Sequence, residues 1–566
     1  MFLGMLMCMK INKPLLIVVI LAFLVRVISI NDAPPSLNWD EVSHAYNAYS
    51  IVTTGADEWG VPYPTIFRAY GDYKLPVYIY VTAISVKLFG LNDISVRLPS
   101  IFSGVALVYS SYLLALYLFK KKKIAYFTAV LVAVSPWSLF VSRAAFEANM
   151  AISLTVAGVC LAFRGLERKK GSFALAALLF GLSVWTYNSA RIFSPVILLS
   201  FVVMYFGQIK ILYSKNRKEI WISAGVLILF FLPMFAQLLG SSGQARYQKL
   251  AIINEGSVSE VVAKRQESEL HPVASRLMYN KYTFFVQNFL ANYISYFDPE
   301  FLFLNGGDHY QFSVPGAGLL FFVYTPFFYY GLFYVFRRAR KDKHMLFVGM
   351  WTLVYPVAGS IVTGAPHVLR GLTFLPIPMI MISVGIAGAL RIITNKHRKY
   401  AEALVYVSIA LCAIGYLNTY FTSYAKEYSW AWQYGYSEAL SFVKDNYDNY
   451  DKIIITKKYG EPHEFLLYQF KWNSHKYSSD LNLVRFYQSE WYWVDRFDKF
   501  YFMNDWEVPD RSDDKWTLES KQNIDIKGKI LLVASPENYP KDWSIIKKVD
   551  FASGEPAFVI LTNQND

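Results

Sequence analysis

The stretch Pro76-Val77-Tyr78-Ile79-Tyr80-Val81-Thr82-Ala83-Ile84-Ser85-Val86-Lys87-Leu88-Phe89 decides how this chain is threaded. It is apolar, but a helix needs about 20 such residues to cross a bilayer. If it crossed, Lys120, Lys121, Lys122 and Lys123 would face outward, against the excess of Lys and Arg that cytoplasmic loops carry. Laid along the membrane surface, it leaves residues 94–119 as the second span and puts those lysines in the cytoplasm.

The rest of the chain alternates from that choice. Lys10 and Lys13 precede the apolar run 14–30, which no small-residue cleavage site follows. It reads as an uncleaved first helix with a cytoplasmic N-terminus. Arg26, near its outer end, reads as a side chain snorkelling to the interface. Further spans follow at 124–141, 150–166, 173–188, 192–211, 220–239, 316–336, 346–362, 372–392 and 403–421. That makes about eleven spans and one interfacial helix. The basic clusters at Arg168-Lys169-Lys170, Lys215 to Lys218, Arg337 to Lys341 and Lys396 to Lys399 then share one side with Lys120 to Lys123.

Composition agrees. Over 566 residues the hydrophobic content is 54%, the charged content 17% and the mean hydropathy +0.27, whereas soluble domains carry about 25% charged residues. Cys8, Cys160 and Cys412 form neither a disulfide framework nor a zinc spacing. From Ala425 to Asp566 there are 18 Lys and Arg against 23 Asp and Glu, a balance of −5, so the membrane part carries +18 against the chain's net +13. Its confinement to short loops is a positive-inside pattern and not a nucleic-acid footprint.

The expected fold is therefore an all-α polytopic membrane protein with a small C-terminal α/β domain. Residues 1–424 form the membrane domain, with a first external loop at 31–93 and a long external loop at 240–315. Residues 425–566, with strand-like runs at 453–456, 530–534 and 557–561 and a helix-like run at 437–443, form the extracytoplasmic domain.

Lysines and arginines alone set this threading, and it gathers the unusual polar residues on the opposite face. They are Asp40 and Glu41 after the first span, Asp72 and Lys74, then Arg143, Glu147 and Asn149, then Arg191, Asp308 and His309, and finally His367 and Arg370. Charges at helix ends in a bundle are expensive and tend to mark a site. Taken singly, each has a plainer reading: solvated loop acids, interfacial anchors (for Lys74 and Arg97), snorkelling arginines, or a turn after Gly306-Gly307. Together they offer carboxylates for acid-base work and cations for a phosphate. Glycosyl transfer from a phosphate-linked donor needs both. Lys or Arg neutralises the leaving phosphate, and a carboxylate takes the acceptor's proton. With no Gly-rich phosphate loop in the sequence, the donor is expected to be a lipid.

The same residues resemble glycosyltransferase family 39, which includes the protein O-mannosyltransferases and the aminoarabinose transferases, within the GT-C fold. The resemblance lies in Asp40-Glu41, in Asp72-Tyr73-Lys74-Leu75-Pro76-Val77-Tyr78, and in Phe89-Gly90 followed by Ser95-Val96-Arg97-Leu98-Pro99-Ser100. Ser135-Pro136 with Ser142-Arg143, Thr186-Tyr187 with Arg191, and His367 with Arg370 extend it. It implies Asp40 as the catalytic acid-base residue, with Glu41 beside it, and Lys74 as a donor-phosphate contact, with Arg191 and Arg370 as helpers. Asp72, Arg143, Glu147, Asn149, Asp308, His309 and His367 are further site candidates. It also implies a polyprenyl-phosphate sugar as donor, inversion at the anomeric carbon, and a lipid, glycan or protein acceptor outside the cytoplasm. The second motif departs from the His-Pro-Pro type of the protein mannosyltransferases.

Two questions stay open at this level. Asp40, Glu41 and Asp72 suffice chemically for a divalent cation, but no tight ligand spacing demands one, and no cofactor is otherwise expected. A transporter or flippase of lipid-linked sugars also accounts for many spans with intramembrane charges.

Overall fold

The computed structural model describes residues 12–240, 243–244, 249–488, 491–511 and 515–564. Cys8 and Lys10 lie outside them. The chain forms two compact units, Met1–Ile28 with Ser100–Leu417, and Ser29–Pro99 with Asn418–Asp566. Residues 31–93, expected as the first external loop, therefore belong to the same unit as the C-terminal residues.

The first unit is helical. The segments expected to span coincide with a helix or a broken helix except 316–336, where the helix begins only at Thr325 and runs to Ala339. Among the described residues, four helices are long and apolar enough to cross a membrane, or seven if each bent pair is one span. One of the bent pairs has a clear local cause. Lys122–Val134 stops at Ser135, whose side chain caps the next helix, and Pro136 opens Pro136–Arg143 at an angle of 49°. The break strips intrahelical partners from the last carbonyls of the first helix, and Arg26 supplies replacements. Its guanidinium donates to Ala133 O at 2.9 Å and to Ser138 Oγ at 3.1 Å. Arg26 is fully buried. It does not snorkel to the interface, because the broken helix offers it carbonyls inside the unit.

Arg143 performs the reciprocal service. It donates to Val25 O at 2.7 Å and Ile28 O at 2.8 Å, carbonyls at the end of helix Lys13–Val27. The segment expected as a long loop, 240–315, is largely helical, with Glu255–Gln266, Pro272–Met278, Lys281–Ser295 and a π turn at Glu300–Leu304. Capping boxes at Asn254 and Asn280 start the first and third of these.

The second unit holds the sheet. A two-stranded ribbon pairs β1 (Phe67–Arg68) with β2 (Tyr73–Lys74). A seven-stranded sheet is built from β3 (Lys452–Thr456), β4 (Val484–Gln488), β5 (Trp491–Phe497), β6 (Phe500–Met503), β7 (Ile530–Ala534), β8 (Ser544–Asp550) and β9 (Pro556–Thr562). Their order is β4-β5-β6-β3-β7-β9-β8, with parallel pairs only at β6-β3 and β3-β7. The parallel centre reads as continuous apolar runs because both its faces are covered. One face packs Ile454, Leu532, Val559 and Leu561 against Trp516 and Trp543. The expected helix 437–443 is Tyr436–Asp445, and Tyr436 stacks on Phe465 of helix Pro462–Phe470 at 4.4 Å. Pro76–Phe89 is a helix of 14 residues, with Tyr78 and Ile79 buried and Ile84, Leu88 and Phe89 exposed.

Candidate active site

The helix Trp39–Thr54 starts on a capping box. Asn38 Oδ1 accepts from Glu41 N at 3.0 Å, and the Glu41 carboxylate accepts from Asn38 N at 3.1 Å. The next turn of chemistry is fixed by Arg97. Its Nε donates to Glu41 Oε1 at 3.0 Å and its second terminal nitrogen to Oε2 at 3.1 Å, while the guanidinium also donates to the carbonyls of Ile30 (2.7 Å), Pro34 (3.0 Å) and Ser36 (2.5 Å). Both side chains are buried. Arg97 is thus a hub for the segment 30–36 that leads into this helix, a role that its reading as an interfacial anchor missed.

Asp40 points elsewhere. Its carboxylate is paired with Lys74 Nζ, and the side chain of Asp40 is 48% exposed while that of Lys74 is 11% exposed. The ribbon delivers the lysine. Asp72 closes the turn between β1 and β2, accepting from Tyr73 N at 2.7 Å through its side chain and from Ala69 N at 2.9 Å through its carbonyl. His44, one turn beyond Asp40, is buried with its ring 5.2 Å from that of Tyr78. Burial, then the Lys74 charge, hold its pKa well below the usual histidine range, with Asp40 opposing.

Three groups grip Trp39, the residue before Asp40. Gln433 Oε1 accepts from Trp39 N at 3.2 Å, and Tyr70 OH donates to Trp39 O at 2.7 Å. The indole lies against Gly460, where a Cβ would come within 2.2 Å of the ring. Gly460 has φ +110, which only glycine adopts readily. Tyr70 in turn stacks on Trp491 at 5.6 Å, and the Trp491 indole donates to Glu461. Behind this lies a buried acid cluster of Glu58, Glu461 and Glu464, with His463 and Arg485. Burial raises the pKa of all three carboxyls, Glu461 to about 8.

The remaining candidates lie in the helical unit. Asn149 donates to Ser100 O at 2.8 Å, and Glu147 opens the helix Glu147–Leu166 beside Phe146. Phe312 brings His309 and His367 together, its ring 4.3 Å from the first and 5.0 Å from the second. Asp308 is exposed at that turn. Arg191 is buried, donating to Val184 O at 3.2 Å with its guanidinium 5.5 Å from the Trp185 ring. Arg370 donates to Thr363 O at 2.7 Å. Asp40, Glu41, Asp72 and Lys74 are thus drawn together in one unit, and Arg143, Glu147, Asn149, Arg191, Asp308, His309, His367 and Arg370 lie in the other.

A divalent cation does not fit the expected carboxylates. Glu41 is locked by Arg97, Asp40 is paired with Lys74 and Asp72 serves its turn. Among the described residues no group of three or more His, Cys, Asp or Glu side chains is arranged to hold a metal.

Residues 73–236 match the family model described as dolichyl-phosphate-mannose-protein mannosyltransferase. No curated protein matches the chain in sequence. Its structure is similar to that of ArnT from Cupriavidus metallidurans, both bound to undecaprenyl phosphate and in the apo state. The TM-score is 0.52 in each case, with 12% and 13% identity, over 97% of this chain and 98% and 97% of ArnT. It is also similar to the oligosaccharyltransferase of Archaeoglobus fulgidus in complex with Zn and sulfate, with a TM-score of 0.50 and 16% identity. That match covers 81% of this chain and 61% of the longer archaeal one. The chain thus shares the fold of these GT-C proteins, and its residues 73–236 carry the sequence pattern of the mannosyltransferase family.

Proposed function

We propose that the chain transfers a sugar from a polyprenyl-phosphate donor to an acceptor outside the cytoplasm, with Asp40 as general base and Lys74 as a phosphate contact. The observation that carries this reading is the Asp40–Lys74 pair, in which a half-exposed carboxylate rests on an ammonium that is nearly sealed by its surroundings. The chemistry divides between them. The acceptor hydroxyl attacks the anomeric carbon as the carbon–oxygen bond to phosphate breaks. Its proton passes to Asp40, and the phosphate leaves with both electrons of that bond beside Lys74. Attack opposite the departing phosphate inverts the anomeric carbon. The undecaprenyl phosphate bound by the similarly folded ArnT supports a lipid-linked donor.

Arg191 and Arg370 are assigned as further phosphate contacts. Glu41 positions Asp40, because its own oxygens are taken by Arg97 and the Asn38 amide. His44, held neutral, offers a polar wall without adding charge beside Lys74. In the bilayer, the basic clusters face the cytoplasm and the C-terminal residues lie outside. The test is single-turnover transfer from a purified polyprenyl-phosphate sugar in liposomes, wild type against Asp40→Asn. Full activity of that variant with a hydroxyl acceptor would remove Asp40 from the chemistry.

A further inference from the structure

We infer that the helical unit carries a second, non-catalytic binding site, for the headgroup of an anionic phospholipid. It is a cavity of about 560 Å³ whose rim holds Lys120, Arg168, Lys341 and Lys343. Ligand pockets typically have volumes of about 300–1,000 Å³.

Two features separate this cavity from an ordinary solvated basic loop. The first is backbone conformation. Lys120 and Arg168 follow the ends of helices Asp93–Phe119 and Glu147–Leu166 in the left-handed region, with φ of 53° and 66°. Glycine is the usual occupant of such a position, and a side chain there carries a steric cost. The chain nevertheless places a cation at both, and both line the same cavity.

The second feature is the split character of the walls. Phe163 stands edge-on to Tyr205 at 5.3 Å, and Tyr205 OH is hydrogen-bonded to His344 Nδ1 at 2.8 Å, which together give an aromatic floor with a polar edge. On one side the chain bends by 78° between Ala190–Met204 and Phe206–Lys215. The second of these helices buries no side chain, and Phe206 and Ile211 are 60% and 55% exposed. A phosphodiester on the cations with an acyl chain along that apolar side satisfies both walls. A free phosphate uses only the first. Glu167 and Asp342 also line the cavity, and Glu167 lies 3.7 Å from Lys120, so the rim is cationic by four groups against two. That balance suits a singly charged diester.

The glycine preference of the two strained positions supplies a clean test. Lys120→Gly with Arg168→Gly removes both cations while relieving the backbone, so the variant keeps its fold. The full-length protein, purified in detergent, is offered phosphatidylglycerol, phosphatidylcholine or soluble glycerol phosphate, and retained lipid is counted by native mass spectrometry alongside the thermal unfolding midpoint. Phosphatidylglycerol is expected to be retained over phosphatidylcholine and to raise the midpoint. The double variant, with an unchanged or higher midpoint in the absence of lipid, should bind it about thirtyfold more weakly, reflecting two lost attractions to an anionic lipid. Equal retention of the two lipids, undiminished binding by the double variant, or full competition by glycerol phosphate would each overturn the assignment.

Discussion

Arg97 and Glu41 meet as a two-point fork sealed from solvent, with nitrogen–oxygen distances of 3.0 and 3.1 Å. The neighbouring carboxylate of Asp40 is half open to solvent. Two adjacent acids in the sequence therefore have opposite environments, and of the two only Asp40 has its carboxylate open to solvent. Breaking the fork leaves a buried charge without its partner, which typically costs about 3–5 kcal/mol. Arg97→Met should lower the unfolding midpoint sharply and reduce the folded yield. Glu41→Gln, which keeps one accepting oxygen for Arg97, should be milder. Thermal denaturation of the purified variants checks this. An Arg97→Met protein as stable as wild type would contradict the structural role.

Asp40→Asn should behave in the opposite way. The asparagine keeps an oxygen to accept from the nearly sealed Lys74 ammonium, so stability should fall less than in Arg97→Met. Transfer to a hydroxyl acceptor should fall by roughly 10²–10⁴-fold, the usual contribution of a positioned base. Lys74→Ala should weaken donor engagement by about 1.5–3 kcal/mol, the worth of a charge-assisted contact. Donor titrations under single-turnover conditions separate the two effects. An acceptor that is itself a phosphate needs no base and would spare Asp40→Asn, so the assay requires a hydroxyl.

If Asp40 is the base, as proposed, the grip on Trp39 ties the C-terminal residues to the reaction. Gly460→Ala would force a Cβ into the indole and a side chain into φ +110. Because Trp39 precedes Asp40, a shift of the indole moves the base. A misplacement of about 1 Å can cost on the order of 10²-fold in rate. Gly460→Ala should therefore lower kcat while the KM for donor stays near wild type. Gln433→Ala removes the acceptor of the Trp39 amide, at a net cost of about 1 kcal/mol, and should lower kcat in the same direction by less. Equal losses in kcat and donor affinity would point to general unfolding of the unit.

What was legible in the sequence follows from what local physics controls. The spans depend on residues within a few positions of each other and could be read directly, whereas the break at Ser135-Pro136 inside the expected span 124–141 and the Asn38 cap emerge only in the structure. The site's polar inventory was also legible, because charge is costly in a membrane protein and stands out. The partner of each charge was not. Arg26, Arg97 and Arg143 were three cations of similar setting, and all three are spent on carbonyls or on Glu41, through contacts up to 118 positions apart. Gln433 bonds Trp39 across 394 positions and carries no sequence mark at all. Tyr70 lies two residues before Asp72 of the second motif, yet its hydrogen bond to Trp39 emerges only when the ribbon turn is built.

The acid cluster behind Tyr70 makes stability depend on pH in a direction opposite to that of most carboxylates. Glu461 is nearly fully buried, and burial is the leading cause of a pKa raised from 4.5 to about 8, although the Trp491 indole and Lys457 pull it down. In the unfolded chain the group ionises near 4.5, whereas in the folded protein it keeps its proton to about 8. The unfolded state therefore binds fewer protons between those values, and stability falls as pH rises through the window. Its contribution is complete below about pH 4.5 and lost by about pH 8, with a ceiling of about 5 kcal/mol from the size of the shift. Glu461→Gln cannot ionise, and its amide oxygen still accepts from Trp491. The variant should match wild type near pH 4.5 and grow more stable relative to it as pH is raised towards 8. Glu58 and Glu464, also raised by burial, keep some of this slope in the variant, so a shallower slope is expected and not a flat one. The measurement is the unfolding midpoint of both proteins across that range, and parallel curves would show that Glu461 is already ionised in the folded state.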